Sequence, residues 1–151
     1  MELKKLKPKS NMISDFYAKR NFGETKMVKS AVILVVEDHP IVRLNALDLV
    51  RDAGFEGIGA ANADEAIRIL EARSDVHLVF TDVEMPGTMD GLKLAHYIRD
   101  RWPPVHLIVV SGKAIPDESG LPANTKFFPK PYNDNTIVEE LTRLLSSAGH
   151  K

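Results

Sequence analysis

The chain predicts a doubly wound α/β fold built on a five-stranded parallel sheet. Three features say so: short apolar runs rich in β-branched residues, helical stripes between them, and Gly, Pro or Asn at the junctions. Wholly apolar runs mark strands covered on both faces, as parallel sheets are.

Ala31–Val36 is such a run and predicts the first strand. Pro40 stands where a helix begins, Val42, Ala46, Leu49, Val50 and Ala53 follow at helical spacing, and Gly54 stops them. A short strand is expected at Phe55–Gly59, then a helix capped by Asn62 with the stripe Ala63, Ala66, Ile67 and Leu70. Val76–Thr81 predicts a third strand ending at Asp82, and a turn-rich loop runs through Pro86, Gly87 and Gly91. Leu92, Ala95, Ile98 and Trp102 stripe a third helix that Pro103 and Pro104 end. Val105–Val110 and Lys126–Phe128 predict strands four and five, and a last helix runs from about Asn135 to Ser146. Between the last two strands, Pro116, Gly120 and Pro122 interrupt any apolar period. A fourth helix there is expected to be short, distorted or replaced by loop, with a remodelled surface over Gly112–Asn124.

Charge divides the chain. Residues 1–30 carry eight Lys/Arg against three acids, a net of +5, whereas the remainder carries twelve against eighteen, a net of −6. The expected organisation is a basic, disordered extension over 1–30, one domain over 31–146 and a tail over 147–151. Met12, Ile13, Phe16 and Tyr17 fall at helical spacing in the extension, the alternative being a small docking helix, and Met27 offers an alternative start. With 44% apolar and 27% charged residues the composition is that of a globular protein. The absence of Cys excludes disulfide scaffolds, thiolate metal sites and cysteine nucleophiles. His39, His77, His96, His106 and His150 lack zinc-ligand spacing and read as solvated or structural. No apolar run reaches the length of a membrane span or signal peptide, and an acidic body argues against direct nucleic-acid binding. A cytoplasmic location is expected.

In open parallel sheets ligands bind beyond the carboxyl ends of the strands, where the strand order reverses. Those ends carry Glu37-Asp38, Asp82, Ser111 and Lys130. Three carboxylates, a hydroxyl and an ammonium thus converge from four strands. Clustered carboxylates repel unless a cation sits among them, and hard oxygen donors suit Mg2+, which keeps waters and accepts a phosphate oxygen. One carboxylate can then attack phosphorus, while Lys130 and Ser111 hold the oxygens over which charge spreads.

The motifs Val-Val-Glu-Asp at 35–38, Thr-Asp-Val-Glu-Met-Pro-Gly at 81–87, Asp-Gly-Leu at 90–92, Ser-Gly at 111–112 and Lys-Pro-Tyr at 130–132 come in this order over nearly all of residues 31–146. Together they resemble the response-regulator receiver domain of two-component signalling, in its stand-alone, single-domain form. The resemblance implies a flavodoxin-like sheet of order 2-1-3-4-5 with helices on both faces, and a phosphorylation-controlled signalling module rather than an enzyme. It implies that Asp82 is the phosphoacceptor, with Asp38, Asp82 and the backbone carbonyl of Glu84 ligating Mg2+ and Glu37 acting through water. Ser111 and Lys130 would stabilise the phosphoryl group, Ser111 and Phe127 would form the switch, and Lys130–Pro131 would be a cis bond. The implied partners are a histidine kinase or phosphotransfer protein and an unidentified downstream protein, with a homodimer left open.

Glu84 poses its own question. Either only its carbonyl matters, or its carboxylate tunes the lifetime of phospho-Asp82. The rival function is a Mg2+-dependent aspartyl-phosphate phosphohydrolase, for which Asp82-Val83-Glu84 loosely resembles the haloacid-dehalogenase pair. Such enzymes place that pair, usually two aspartates, after the first strand and carry a cap domain. A pseudo-receiver is disfavoured by the full set of polar residues, and a flavin- or nucleotide-binding module by the lack of a glycine-rich phosphate loop.

Overall fold

The computed structural model describes residues 31–113 and 120–150. Among these are five strands, β1 (Val32–Val36), β2 (Glu56–Ala60), β3 (Val76–Asp82), β4 (His106–Ser111) and β5 (Thr125–Pro129). Four helices accompany them: α1 (Pro40–Asp52), α2 (Ala63–Ala72), α3 (Gly91–Arg101) and α4 (Asp134–His150). The disorder expected of residues 1–30 falls outside the described residues. So does the core of the expected irregular fourth helix, residues 114–119; the described flanks, 112–113 and 120–124, contain no α-helix.

The helices begin where short polar side chains satisfy their free N–H groups. Asn62 Oδ1 accepts from the Glu65 N–H at 2.8 Å while Glu65 Oε1 accepts from the Ala61 N–H at 2.6 Å, a reciprocal cap on α2. Asp90 Oδ1 accepts from the Leu92 and Lys93 N–H groups at 3.0 and 2.9 Å and starts α3. Gly54, at φ 101°, supplies the left-handed residue after α1. α4 continues past Ser146 to His150, through residues expected to form a tail.

All strand pairs are parallel, in the order β2-β1-β3-β4-β5. Alternation along the strands divides the core in two. Val32, Leu34, Val36, Val79, Leu107 and Val109 face α2 and α3, whereas Ile33, Val35, Leu78, Phe80, Ile108 and Val110 face α1 and α4. The register slips between Val32 and Ile33, leaving His77 as the extra residue, and its Nδ1 accepts the Val32 N–H at 3.0 Å. The chain leaves β1 for β2 on one side and returns to β3 on the other. The C-terminal ends of β1 and β3 therefore flank the point where strand order reverses, and that crevice is the natural ligand position.

Candidate functional site

β1 stops at Val36 and delivers Glu37 and Asp38 to this crevice. The Glu37 N–H donates to the Ala60 carbonyl at 3.0 Å, and Arg43 Nη1 donates to the Glu37 carbonyl at 2.8 Å. Its carboxylate Oε2 accepts from the His39 N–H at 3.1 Å. His39 also caps α1, its Nδ1 accepting from the Ile41 and Val42 N–H groups at 3.3 and 3.5 Å. The acid pair is thus fixed to the first turn of a helix.

β3 delivers Asp82. The Val83 N–H donates to the Val110 carbonyl at 2.9 Å, and the Gly91 N–H donates to the Val83 carbonyl at 2.9 Å, tying the strand end to β4 and to the start of α3. Gly91 is dictated by this approach: a Cβ there would lie 1.8 Å from the Asp82 carbonyl oxygen.

Carboxylate oxygens of Glu37, Asp38 and Asp82 lie within 4.8 Å of one another, the only such acidic, histidine or cysteine cluster among the described residues. Glu37 and Asp82 are 6% and 5% exposed. Lys130 Nζ reaches in from the end of β5, 3.2 Å from Asp82 Oδ1 and 3.7 Å from Glu37 Oε1. The closer contact is an ion pair. Apart from that contact, Asp82 Oδ1 is the one buried side-chain polar atom without a hydrogen-bond partner among the described residues.

Burial lifts the Asp82 pKa above its ordinary value, with the charge of Glu84 adding to the rise and Lys130 opposing it. Glu37 is also raised, first by burial and then by Asp82 and Asp38, against its bond to the His39 N–H and the pull of Lys130. Three carboxylates against one ammonium leave negative charge unmatched in a half-dry crevice. A hard cation resolves both the charge and the orphaned oxygen, so these donors fit a divalent ion with oxygen preference.

On the far side of Asp82, Ser111 ends β4 and is 1% exposed. Its Oγ donates to Glu84 Oε2, and Glu84 Oε1 accepts the Gly112 N–H at 3.2 Å. Ser111 Oγ in turn accepts the Lys113 N–H at 3.0 Å. The Lys130–Pro131 bond is cis, and the Lys130 N–H donates to the Ser111 carbonyl at 2.8 Å. Phe127 pairs in register with Val109 and packs, half-buried, on the face shared with α2 and α3. Phe128 takes the opposite face, as does Tyr132, whose ring lies 5.8 Å from that of Phe80.

The structure therefore brings Glu37, Asp38, Asp82 and Lys130 into one group, with Ser111 at the adjoining strand end. Phe127 stands apart from the polar cluster, on the sheet face. The Glu84 carboxylate is engaged rather than turned freely to solvent. Sequence reasoning missed three contributors: His39 as helix cap, Gly91 as the close-approach residue and the Gly112 N–H as a donor. Position offered a signal for the first, since His39 directly precedes Pro40 at a helix start.

An open parallel sheet with an acidic crevice, a lysine and a hydroxyl at its carboxyl edge is an arrangement suited to a class of domains that handle phosphoryl groups beside a cation. Comparison with known proteins makes the class specific: residues 33–142 match the response regulator receiver domain family, and the chain belongs to it. Among curated proteins, it is 34% identical over 125 residues to the sensor kinase CckA of Brucella abortus, covering 80% of this chain but 13% of that protein. It is 31% identical over 116 residues to a putative NtrX-like response regulator of Rickettsia bellii, covering 74% and 24% respectively. The chain thus spans a small part of these relatives.

Among solved structures, it resembles the receiver domain of the hybrid histidine kinase CckA, with 34% identity, a TM-score of 0.64 and coverage of 76% of this chain and 99% of that one. The response regulator TrrA of Thermotoga maritima, solved in complex with Mg2+-BeF, is 27% identical with a TM-score of 0.67, covering 76% and 98%. A receiver protein of Sinorhizobium medicae shares the fold at 23% identity and a TM-score of 0.73, covering 79% and 97%. Receiver domains are signalling domains that bind Mg2+ at an acidic pocket and interact with histidine kinases or phosphotransfer proteins, and this chain carries a Glu37–Asp38–Asp82 acidic group. Among the described residues no helix is long and apolar enough to cross a membrane.

Proposed function

We propose that Asp82 accepts a phosphoryl group from the phosphohistidine of a histidine kinase or phosphotransfer protein, in a Mg2+-dependent reaction in the cytoplasm. The observation that carries this reading is the buried Asp82 carboxylate, set between two further acids and with Lys130 3.2 Å from its Oδ1. Asp38, Asp82 and the Glu84 carbonyl would hold the ion, with Glu37 acting through water. That the Thermotoga relative was solved in complex with Mg2+-BeF supports a role for Mg2+ here. When bound, Mg2+ supplies positive charge that offsets the charge on the phosphoryl oxygens.

An Asp82 oxygen attacks phosphorus as the phosphorus–nitrogen bond of the donor breaks. The electron pair stays on the imidazole, which takes up a proton, and a mixed anhydride remains on Asp82. Lys130 and Ser111 hold the transferring oxygens, Lys130 from its observed place beside Asp82. The movement of Ser111 onto the phosphoryl group frees space that Phe127 fills, changing the face offered to a downstream protein.

Incubation with acetyl phosphate and Mg2+ tests this. The expected result is one phosphoryl group per chain in the wild type and none in Asp82→Asn. Sustained phosphate release with turnover, or undiminished labelling of Asp82→Asn, would overturn it.

A further inference from the structure

Glu84 occupies donors that the acceptor site needs. Its two carboxylate oxygens take the Ser111 hydroxyl proton and the Gly112 N–H. Ser111 has a single hydroxyl proton to give, and the other contact of its Oγ accepts the Lys113 N–H. With Ser111 only 1% exposed, water offers little exchange for that bond. The hydroxyl is therefore committed to a carboxylate from the loop that follows Asp82.

We propose that Glu84 is an internal competitor of the phosphoryl group, holding Ser111 and Gly112 in its place until Asp82 is phosphorylated. The proposal rests on the reading of Asp82 as acceptor and adds a regulatory element to it. A carboxylate and a phosphoryl group are both anionic oxygen acceptors that suit a hydroxyl and a backbone N–H. They cannot both hold the one Ser111 proton, and their like charges repel.

Phosphorylation must consequently expel the Glu84 side chain and release the Gly112 N–H. Part of the free energy of phosphoryl binding is spent on that exchange, which makes the loop after β3 and the start of the loop after β4 move together. Glu84 acts on the state of the site through its carboxylate, whereas its backbone carbonyl belongs to the ion. Side-chain substitutions leave that carbonyl in the chain.

Beryllofluoride binding to full-length protein tests the competition by isothermal titration. Each variant is first saturated with Mg2+, on the basis of its own measured Mg2+ affinity. Glu84→Ala frees both donors and is expected to bind beryllofluoride about tenfold more tightly than wild type, with Glu84→Gln showing a smaller gain. In a Ser111→Ala background the gain from Glu84→Ala should fall to about twofold or less, since the shared proton is gone. The proposal is overturned if Glu84→Ala binds beryllofluoride no more tightly than wild type, or if its gain is undiminished in the Ser111→Ala background. Failure of every variant, wild type included, to bind beryllofluoride with Mg2+ present would instead refute the acceptor reading and this proposal with it.

Discussion

Replacing Asp82 by Asn should stabilise the metal-free protein at neutral pH, because the native carboxylate is held where its charge is unwelcome. It is 5% exposed, Oδ1 lacks a hydrogen bond, and burial raises its pKa from the ordinary 3.8. A carboxyl whose folded pKa exceeds its unfolded one binds its proton more tightly in the folded state. Its contribution to stability is therefore greatest below the unfolded value, falls as pH rises through the folded value, and stays lost above it. An unsatisfied buried polar atom costs about 1–3 kcal/mol, and Lys130, 3.2 Å away, offsets part of that. The expected gain for Asp82→Asn is about 1–2 kcal/mol at pH 7 in EDTA, shrinking as pH falls toward about 4. Glu37, also raised, keeps the wild type pH-dependent in the same direction; because the charge of Asp82 is one of the things that raise it, the difference between the two proteins reports Asp82 together with its effect on Glu37. Urea unfolding followed by the single Trp102 measures it. Mg2+ at ten times its Kd should return about 1.4 kcal/mol to the wild type and less to Asp82→Asn. A variant no more stable than wild type in EDTA, or a gap widening toward acid, would refute the reasoning.

Other substitutions probe the frame of the site. Gly91→Ala places a Cβ 1.8 Å from the Asp82 carbonyl oxygen and should destabilise by roughly 3 kcal/mol or more in urea unfolding, whereas Gly112→Ala, with nothing within 4 Å of the new Cβ, should shift stability by less than about 0.5 kcal/mol. Lys130→Met removes the ammonium beside Asp82 and should slow labelling by acetyl phosphate on the order of 100-fold while Mg2+ still binds, as read by stopped-flow and titration. Arg99 donates to the carbonyls of Pro103, Val105, Ala123 and Asn124 at 2.7, 2.9, 3.0 and 3.3 Å, so Arg99→Ala should cost about 2 kcal/mol and speed amide exchange near β5.

The elements legible in the sequence were those written in local pattern. Buried parallel strands read as unbroken apolar runs, so β1, β3 and β4 lie within a residue of the expected bounds, and the candidate residues stand at or just past their ends. Asp82 and Lys130 could be paired on paper because strand ends in such sheets share an edge. Short β5, with Lys126 exposed between half-buried neighbours, extended further each way than its apolar core suggested. What stayed hidden depends on segments distant in sequence. The slip at His77 needs the β1–β3 register, and Gly91 reads as an ordinary helix start until Asp82 is seen beside it. Glu84 lies 27 residues from Ser111, and no periodicity connects an exposed-looking loop acid to a hydroxyl at another strand end.

The most direct test of Asp82 as acceptor is to trap the anhydride. After incubation with acetyl phosphate and Mg2+, borohydride reduces an aspartyl phosphate to homoserine, which peptide mass spectrometry can locate. Homoserine at position 82, absent when Mg2+ is chelated, is the predicted result. Conversion at Asp38 or Glu37, or none at all, would contradict the account.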